Sequence, residues 1–234
     1  VAILLHAVAS GVVAVRRRDG ILMIARLEQA IGAGDSAMAT VSTEMPSQAS
    51  VTQPTTSWLE PADDILYEVV DQQIRELPPM GALEVHLAST LSRILSSFAW
   101  NNKLGHVESE MLFLLDRAKN LQRRPDLAFV SYERWAHDRA IPAEPAWEVV
   151  PNLAIEVISP KNFANDVVQK IEDYFVSGVE RVWVIYPLVA KVYDYESPSS
   201  VRILAPRDPM RAEAVLPGLE IPLTDLFDTG TKPK

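Results

Sequence analysis

Along this chain apolar and polar positions alternate, run on or recur in patterns that predict its elements one after another. Tyr67-Glu68-Val69-Val70 and Ile74-Arg75-Glu76-Leu77 are short runs of strand character flanking Asp71-Gln72-Gln73, which predicts a hairpin closed by Pro78-Pro79. From Gly81 to about Trp100, the residues Leu83, Leu87, Leu91, Ile94, Leu95 and Phe98 recur at three- and four-residue spacing. That is the period of a helix with one buried face, ended by Asn101, Asn102 and Gly105. Strands are predicted over 107–115 and 127–130, then a long proline-containing connection over 132–151. A βαβ unit follows: a strand at 153–158, a helix at about 164–177 and a strand at 181–186. Gly178 stands where a left-handed helix cap belongs. The connection 159–180 is long enough for a crossover, so the two strands should be parallel and the crossover right-handed. Residues 191–195 and 201–204 predict an antiparallel hairpin, Leu216-Pro217-Gly218 a turn, and 223–227 a short closing helix.

Residues 1–57 break this pattern. Positions 1–15 are apolar apart from His6, Ser10 and Gly11, and Arg16-Arg17-Arg18 follows. Such a run is shorter than the roughly 20 residues that span a bilayer. Its charges also stand after the apolar run, the reverse of a signal peptide. Positions 42–57, rich in Ser, Thr, Gln and Pro without a period, read as a linker. Position 1 is not Met, and Met38 and Met45 flank the start of this linker, so the native reading frame is expected to begin later. The expected organisation is a leader and linker over 1–57, poorly ordered or outside the native fold, and a single folded domain over 58–234, with no membrane span.

Composition narrows the chemistry. An apolar share of 48% in 234 residues is ample for a core. With no cysteine, the chain has no disulfide, zinc–thiolate site, iron–sulfur cluster or thiol nucleophile, which suits the cytoplasm. The net charge of −9 argues against broad, charge-driven binding of nucleic acid. Only residues 101–139 lean the other way, with seven Lys/Arg against six Asp/Glu. There Arg117, Lys119, Arg123 and Arg124 read as a solvated basic loop, and as the place to look for phosphate contacts.

Two predicted strands each carry a carboxylate among apolar neighbours: Asp126 ahead of Leu127-Ala128-Phe129-Val130, and Glu156 inside Leu153-Ala154-Ile155-Glu156-Val157-Ile158. A carboxylate in low dielectric costs several kcal/mol or takes up a proton, so each needs a partner. Alternation places Asp126 with Ala128 and Val130, and Glu156 with Ala154 and Ile158. If the strands pair, the acids converge and form a hard-oxygen site suited to Mg²⁺ or Mn²⁺. On the following helix Lys170 stands at the edge of the stripe Val167, Val168, Ile171, Tyr174 and Phe175, from which it can reach the acids. The plainer readings are a turn residue for Asp126, an ion pair for Glu156 and an amphipathic surface lysine for Lys170. No G-x-G-x-x-G or G-x-x-x-x-G-K-[ST] loop, H-E-x-x-H or G-x-S-x-G motif is present. Glu84 and His86, early on the first helix, read as surface residues with a lesser chance of facing the site.

In this order Asp126, Glu156 and Lys170 resemble the PD-(D/E)xK nuclease superfamily, and within it the Uma-two type of restriction endonuclease. The matching stretches are Tyr67-Glu68-Val69-Val70-Asp71, Arg124-Pro125-Asp126-Leu127-Ala128-Phe129-Val130, Ile155-Glu156-Val157-Ile158-Ser159-Pro160, Lys170, Tyr174, 178–185 and Leu216-Pro217-Gly218, within about 58–228. The resemblance implies an α/β fold, a mixed β-sheet flanked by α-helices. It implies metal-dependent hydrolysis of DNA phosphodiester bonds, with a catalytically inactive DNA-binding or assembly module as the alternative. By the same resemblance Asp126, Glu156 and the Val157 carbonyl bind Mg²⁺ or Mn²⁺, Lys170 is the catalytic lysine, and Glu68 completes the site. The superfamily lysine often lies two residues after the second acid, where this chain has Ile158; Lys161 competes with Lys170 for that role. DNA and a second copy of the chain, as a homodimer, are the implied partners.

Overall fold

The computed structural model describes residues 65–228 and three N-terminal strands, β1 (His6–Val8), β2 (Val12–Arg16) and β3 (Leu22–Arg26). The chain divides into two units, 1–55 and 56–234. In the first, the three strands make an antiparallel sheet in chain order. The linker expected over 42–57 lies outside the described residues.

The second unit carries β4 (Tyr67–Val70), β5 (Gln73–Glu76), α1 (Ala82–Asn101), β6 (Gly105–Ser109), β7 (Phe113–Asp116), β8 (Leu121–Arg123) and β9 (Leu127–Ser131). There follow β10 (Leu153–Val157), α2 (Ala164–Ser177), β11 (Arg181–Tyr186), β12 (Lys191–Ser197), β13 (Ser200–Leu204), β14 (Pro209–Ala212), β15 (Leu216–Pro222) and α3 (Leu223–Phe227). A six-stranded sheet in the order β13-β12-β11-β10-β9-β6 forms its centre. Only β10 and β11 run parallel there, joined through α2 as a crossover demands. A second sheet has the order β5-β4-β8-β7. This is the mixed α/β architecture that the residue pattern predicts.

The central sheet is covered on both faces, so β10 is buried along its whole length. On one face Leu127, Phe129, Ile155 and Trp183 pack against Leu87, Leu91 and Leu95 of α1. On the other, Ala128, Ala154, Val182 and Val184 meet Val167, Ile171 and Tyr174 of α2. The small residues on the second face leave room for the acids beside them. Gly105 lets β6 close on β9, since a Cβ there would lie 2.1 Å from the Val130 carbonyl oxygen. Gly178 caps α2 at φ 100°, the left-handed position that glycine adopts without strain.

Four expectations need correction. The strand expected over 107–115 is two strands in different sheets, because Glu110 turns the chain at φ 51°. The apolar run from Met111 to Leu115 hides that break in the sequence. The basic stretch holds a strand, β8, whose Arg123 is buried. The hairpin turn is two residues, not three: Asp71 and Gln72 take φ 53° and 60°, the pair of left-handed positions of a type I′ turn. Leu216-Pro217-Gly218 belongs to β15, which bends at Gly218, φ 77°.

Candidate active site

Strand pairing decides where the acids fall. In the antiparallel register of β9 and β10, Ala154 faces Ala128 and Ile155 faces Leu127, so the next position sets Glu156 opposite Asp126. The register of β6 and β9, Ser109 facing Leu127, continues in the same way to Glu110 opposite Asp126. The Glu110 N–H donates to the Asp126 carbonyl at 3.1 Å. Glu110, Asp126, Glu156 and Lys170 all line one cleft of about 60 Å³, walled on the other side by Leu77, Pro79 and other residues. That space suits a cation with a few waters rather than a nucleotide.

Asp126 Oδ2 accepts from the Val157 N–H at 2.6 Å. Glu156 is buried and accepts from Lys170 Nζ at 3.2 and 3.1 Å and from the Tyr174 hydroxyl at 2.6 Å. Lys170 also reaches Glu68 Oε1 at 3.0 Å. Glu68 Oε2 pairs with Arg123 at 2.7 Å, and its Oε1 accepts from the Arg124 N–H at 3.0 Å. Arg123 in turn binds Asp173 on α2. The charges therefore alternate along one line: Asp173, Arg123, Glu68, Lys170, Glu156. Asp126 extends the line with a second negative charge.

Electrostatics follow from this order. Burial raises the Asp126 pKa and the nearby charge of Glu156 adds to it, which carries the carboxyl to about 7. Burial also raises Glu156 and outweighs its lysine. For Glu68 burial acts in the same direction, but the charges of Lys170 and Arg123 win and hold it below the usual carboxylate range. Lys170 loses charge stability through burial and regains more from Glu156 and Glu68, so it stays an ammonium. Glu68, Asp173, Glu156 and Asp126 thus face two cations, Arg123 and Lys170. Arg124 and Glu110 add one charge of each sign and leave the balance unchanged. The shortfall falls on the Asp126–Glu156 pair.

That shortfall fits a cation. Two carboxylates and the carbonyl of Val157, which lines the same cleft, would offer hard oxygen donors. Among the described residues no three His, Cys, Asp or Glu side chains form a metal cage. Water would therefore supply much of the coordination, as Mg²⁺ prefers.

Other predicted residues fall elsewhere. Lys161 is exposed and does not line the cleft, whereas Lys170 does. His86 is exposed, and Glu84 is buried with its carboxylate close to Gly81; neither lines the cleft. The basic stretch is mostly spent within the protein. Arg117 pairs with Glu148 and Lys119 with Asp116, and Arg124 donates to the carbonyls of Tyr67 and Glu110. A wider groove, about 840 Å³, lies between the β4–β5 turn and α2. Its walls include Asp71, Asp116, Asp166, Glu172 and Asp173 against Arg75 and Lys119, a balance that repels a polyanion. Asp126 and the buried Glu156 line the narrower cleft instead. Sequence reasoning missed Glu110 and the depth of Arg123; the positive φ at Glu110 left no mark in its residue type.

Residues 56–224 match the family model described as "Uma2: Putative restriction endonuclease". Among solved structures, the chain is similar to "a putative nuclease belonging to DUF820 from Anabaena variabilis". The TM-score is 0.61 at 18% identity, covering 72% of this chain and 93% of that one, a likeness of fold. Comparison with curated proteins finds no match.

Proposed function

The chain belongs to the Uma2 family of restriction-endonuclease-like proteins, and from that premise we propose that it is an endodeoxyribonuclease dependent on Mg²⁺ or Mn²⁺. The observation that carries this reading is the acid pair with too little positive charge: Asp126 and Glu156 share one lysine, itself shared with Glu68. Asp126, Glu156 and the Val157 carbonyl would hold the ion, which when bound polarises a phosphodiester and makes water a better nucleophile. Lys170 lies beside Glu156, where its ammonium can orient the attacking water and offset charge growing on phosphorus. Tyr174 fixes the Glu156 carboxylate, and Glu68 acts through Lys170 as a positioning residue.

The cleft admits an ion but no base, so DNA would lie across its mouth with one phosphate over the acids. Cutting both strands requires two sites, which favours a homodimer. β13 supports that, as an edge strand exposing Val201 and Ile203. We read the protein as cytoplasmic on its lack of cysteine. Among the described residues no helix is long and apolar enough to cross a membrane.

The alternative is a nuclease fold that binds or assembles without cutting. It is favoured because, among the described residues, no three acids or histidines, Glu110 included, are placed to hold an ion together. Supercoiled plasmid with Mg²⁺ or Mn²⁺ separates the two. The enzyme nicks or linearises it, Glu156→Ala stops this and Lys119→Ala does not. Binding without cleavage in both metals establishes the inactive module.

A further inference from the structure

At the far end of β6 and β9 from the acids, a second site is built from rings. Six strand positions separate Asp126 from Tyr132, about 20 Å at 3.3 Å per residue. There Trp100, Lys103, Tyr132 and His137 line a pocket. Trp100, in the last turn of α1, is 72% exposed, whereas Trp135, Trp147 and Trp183 are buried. Trp100 therefore offers its ring to whatever enters this pocket. Lys103 follows at φ 55°, its N–H bonded to the Trp100 carbonyl at 3.2 Å. This ties the lysine to the tryptophan at the helix end.

Behind them the rings pack in a series. Tyr132 lies edge-on to His137 at 5.0 Å and to His106 at 5.1 Å, and His106 meets the buried Trp147 at 5.9 Å. His106 Nε2 is buried without a hydrogen-bond partner. Through His106, the half-buried Tyr132 is backed by the core residue Trp147. Among the described lining residues none is acidic, on a chain whose net charge is −9. Aromatic rings and a lysine lining one pocket, with no carboxylate among the described lining residues, match a base with its phosphate attached.

We infer that this pocket binds a nucleotide unit, its base stacked on Trp100 and Tyr132 and its phosphate at Lys103. The site is separate from the acid cleft and needs no metal, so it does not depend on cleavage.

Calorimetric titration of the full chain in EDTA tests it, with deoxyadenosine monophosphate, deoxyadenosine, inorganic phosphate and a short oligodeoxyadenylate as probes. The nucleotide should bind saturably and the nucleoside several-fold more weakly, with phosphate alone weaker still. Trp100→Ala should lower nucleotide affinity about tenfold while Trp100→Phe retains most of it. Lys103→Ala should remove the difference between nucleotide and nucleoside. Much tighter binding of the oligomer identifies a strand as the source, and equal binding per nucleotide a free nucleotide. No saturable binding of either, or binding unchanged in Trp100→Ala, overturns the assignment. Plasmid cleavage is measured separately, so a failure here leaves the nuclease reading standing, and a failure there leaves this one.

Discussion

Asp194 and Glu156 are both buried acids on the central sheet, one on β12 and one on β10, and their surroundings differ in kind. Asp194 accepts from Arg181 at 2.6 Å through each oxygen, from Arg202 at 2.9 Å and from the Trp183 indole N–H at 2.9 Å. Two guanidinium groups reach this carboxylate, and Arg181 also pairs with Glu196 at 2.9 Å, so two cations serve two acids. Glu156 has half a lysine, a tyrosine hydroxyl and another acid facing it across the strand. An acid met in full is part of the architecture, since breaking such a pair strands a buried charge. An acid pair left short is a place where a cation improves matters. Burial alone does not separate the two cases; the count of partners does.

The sharpest way to break this comparison is to remove one acid from each. Glu156→Gln should lower plasmid cleavage about a thousandfold, the several kcal/mol that a catalytic cation supplies. Its stability to urea should fall by less than that of the Asp194 variant, since Lys170 keeps Glu68 and the amide still accepts from Tyr174. Asp194→Ala should instead cost about 3–5 kcal/mol of stability, because it leaves the part-buried Arg181 with the exposed Glu196 alone and the buried Trp183 indole N–H without its acceptor. If both variants unfold equally, the distinction between them is wrong.

Divalent metal sharpens it further. Mg²⁺ at a hundred times its dissociation constant should stabilise the native protein by about 2.7 kcal/mol, read as a rise in Tm. The rise should vanish in Asp126→Asn and persist in an Asp194 variant that still folds.

The remaining test is pH. With its folded pKa near 7 against 3.8 unfolded, Asp126 holds a proton in the native state that the unfolded chain has released. The unfolded state then binds fewer protons, so stability without metal should fall as pH rises from about 4 to 7. Asp126→Asn should flatten that slope. A metal-free stability that climbs across this window contradicts the pressed acid pair.

Much of this was legible before the structure. The βαβ unit stood out because an apolar run, an amphipathic helix, Gly178 and a second apolar run follow in order, each set by local preference. Asp126, Glu156 and Lys170 could be placed together because strand alternation and helix period are themselves geometric rules. What stayed hidden depends on distant partners. Arg123 looked like one more charge in a basic loop, yet it pairs with Glu68 and Asp173, 55 and 50 residues away. Glu110 looked like an ordinary acid, and only the turn of the chain brings it into the cleft. The β14–β15 pair was missed because Pro217 and Gly218 carry turn chemistry inside a strand.

The line of charges from Asp173 to Glu156 draws on both sheets and on α2, in an order unrelated to the order of synthesis. Glu68 emerges early, and its lysine only after β4 to β10 have been made. A nascent or half-collapsed chain holds these groups apart, unable to assemble the arrangement that cutting needs. On the proposed reading, the site would stay inert until its folding is complete.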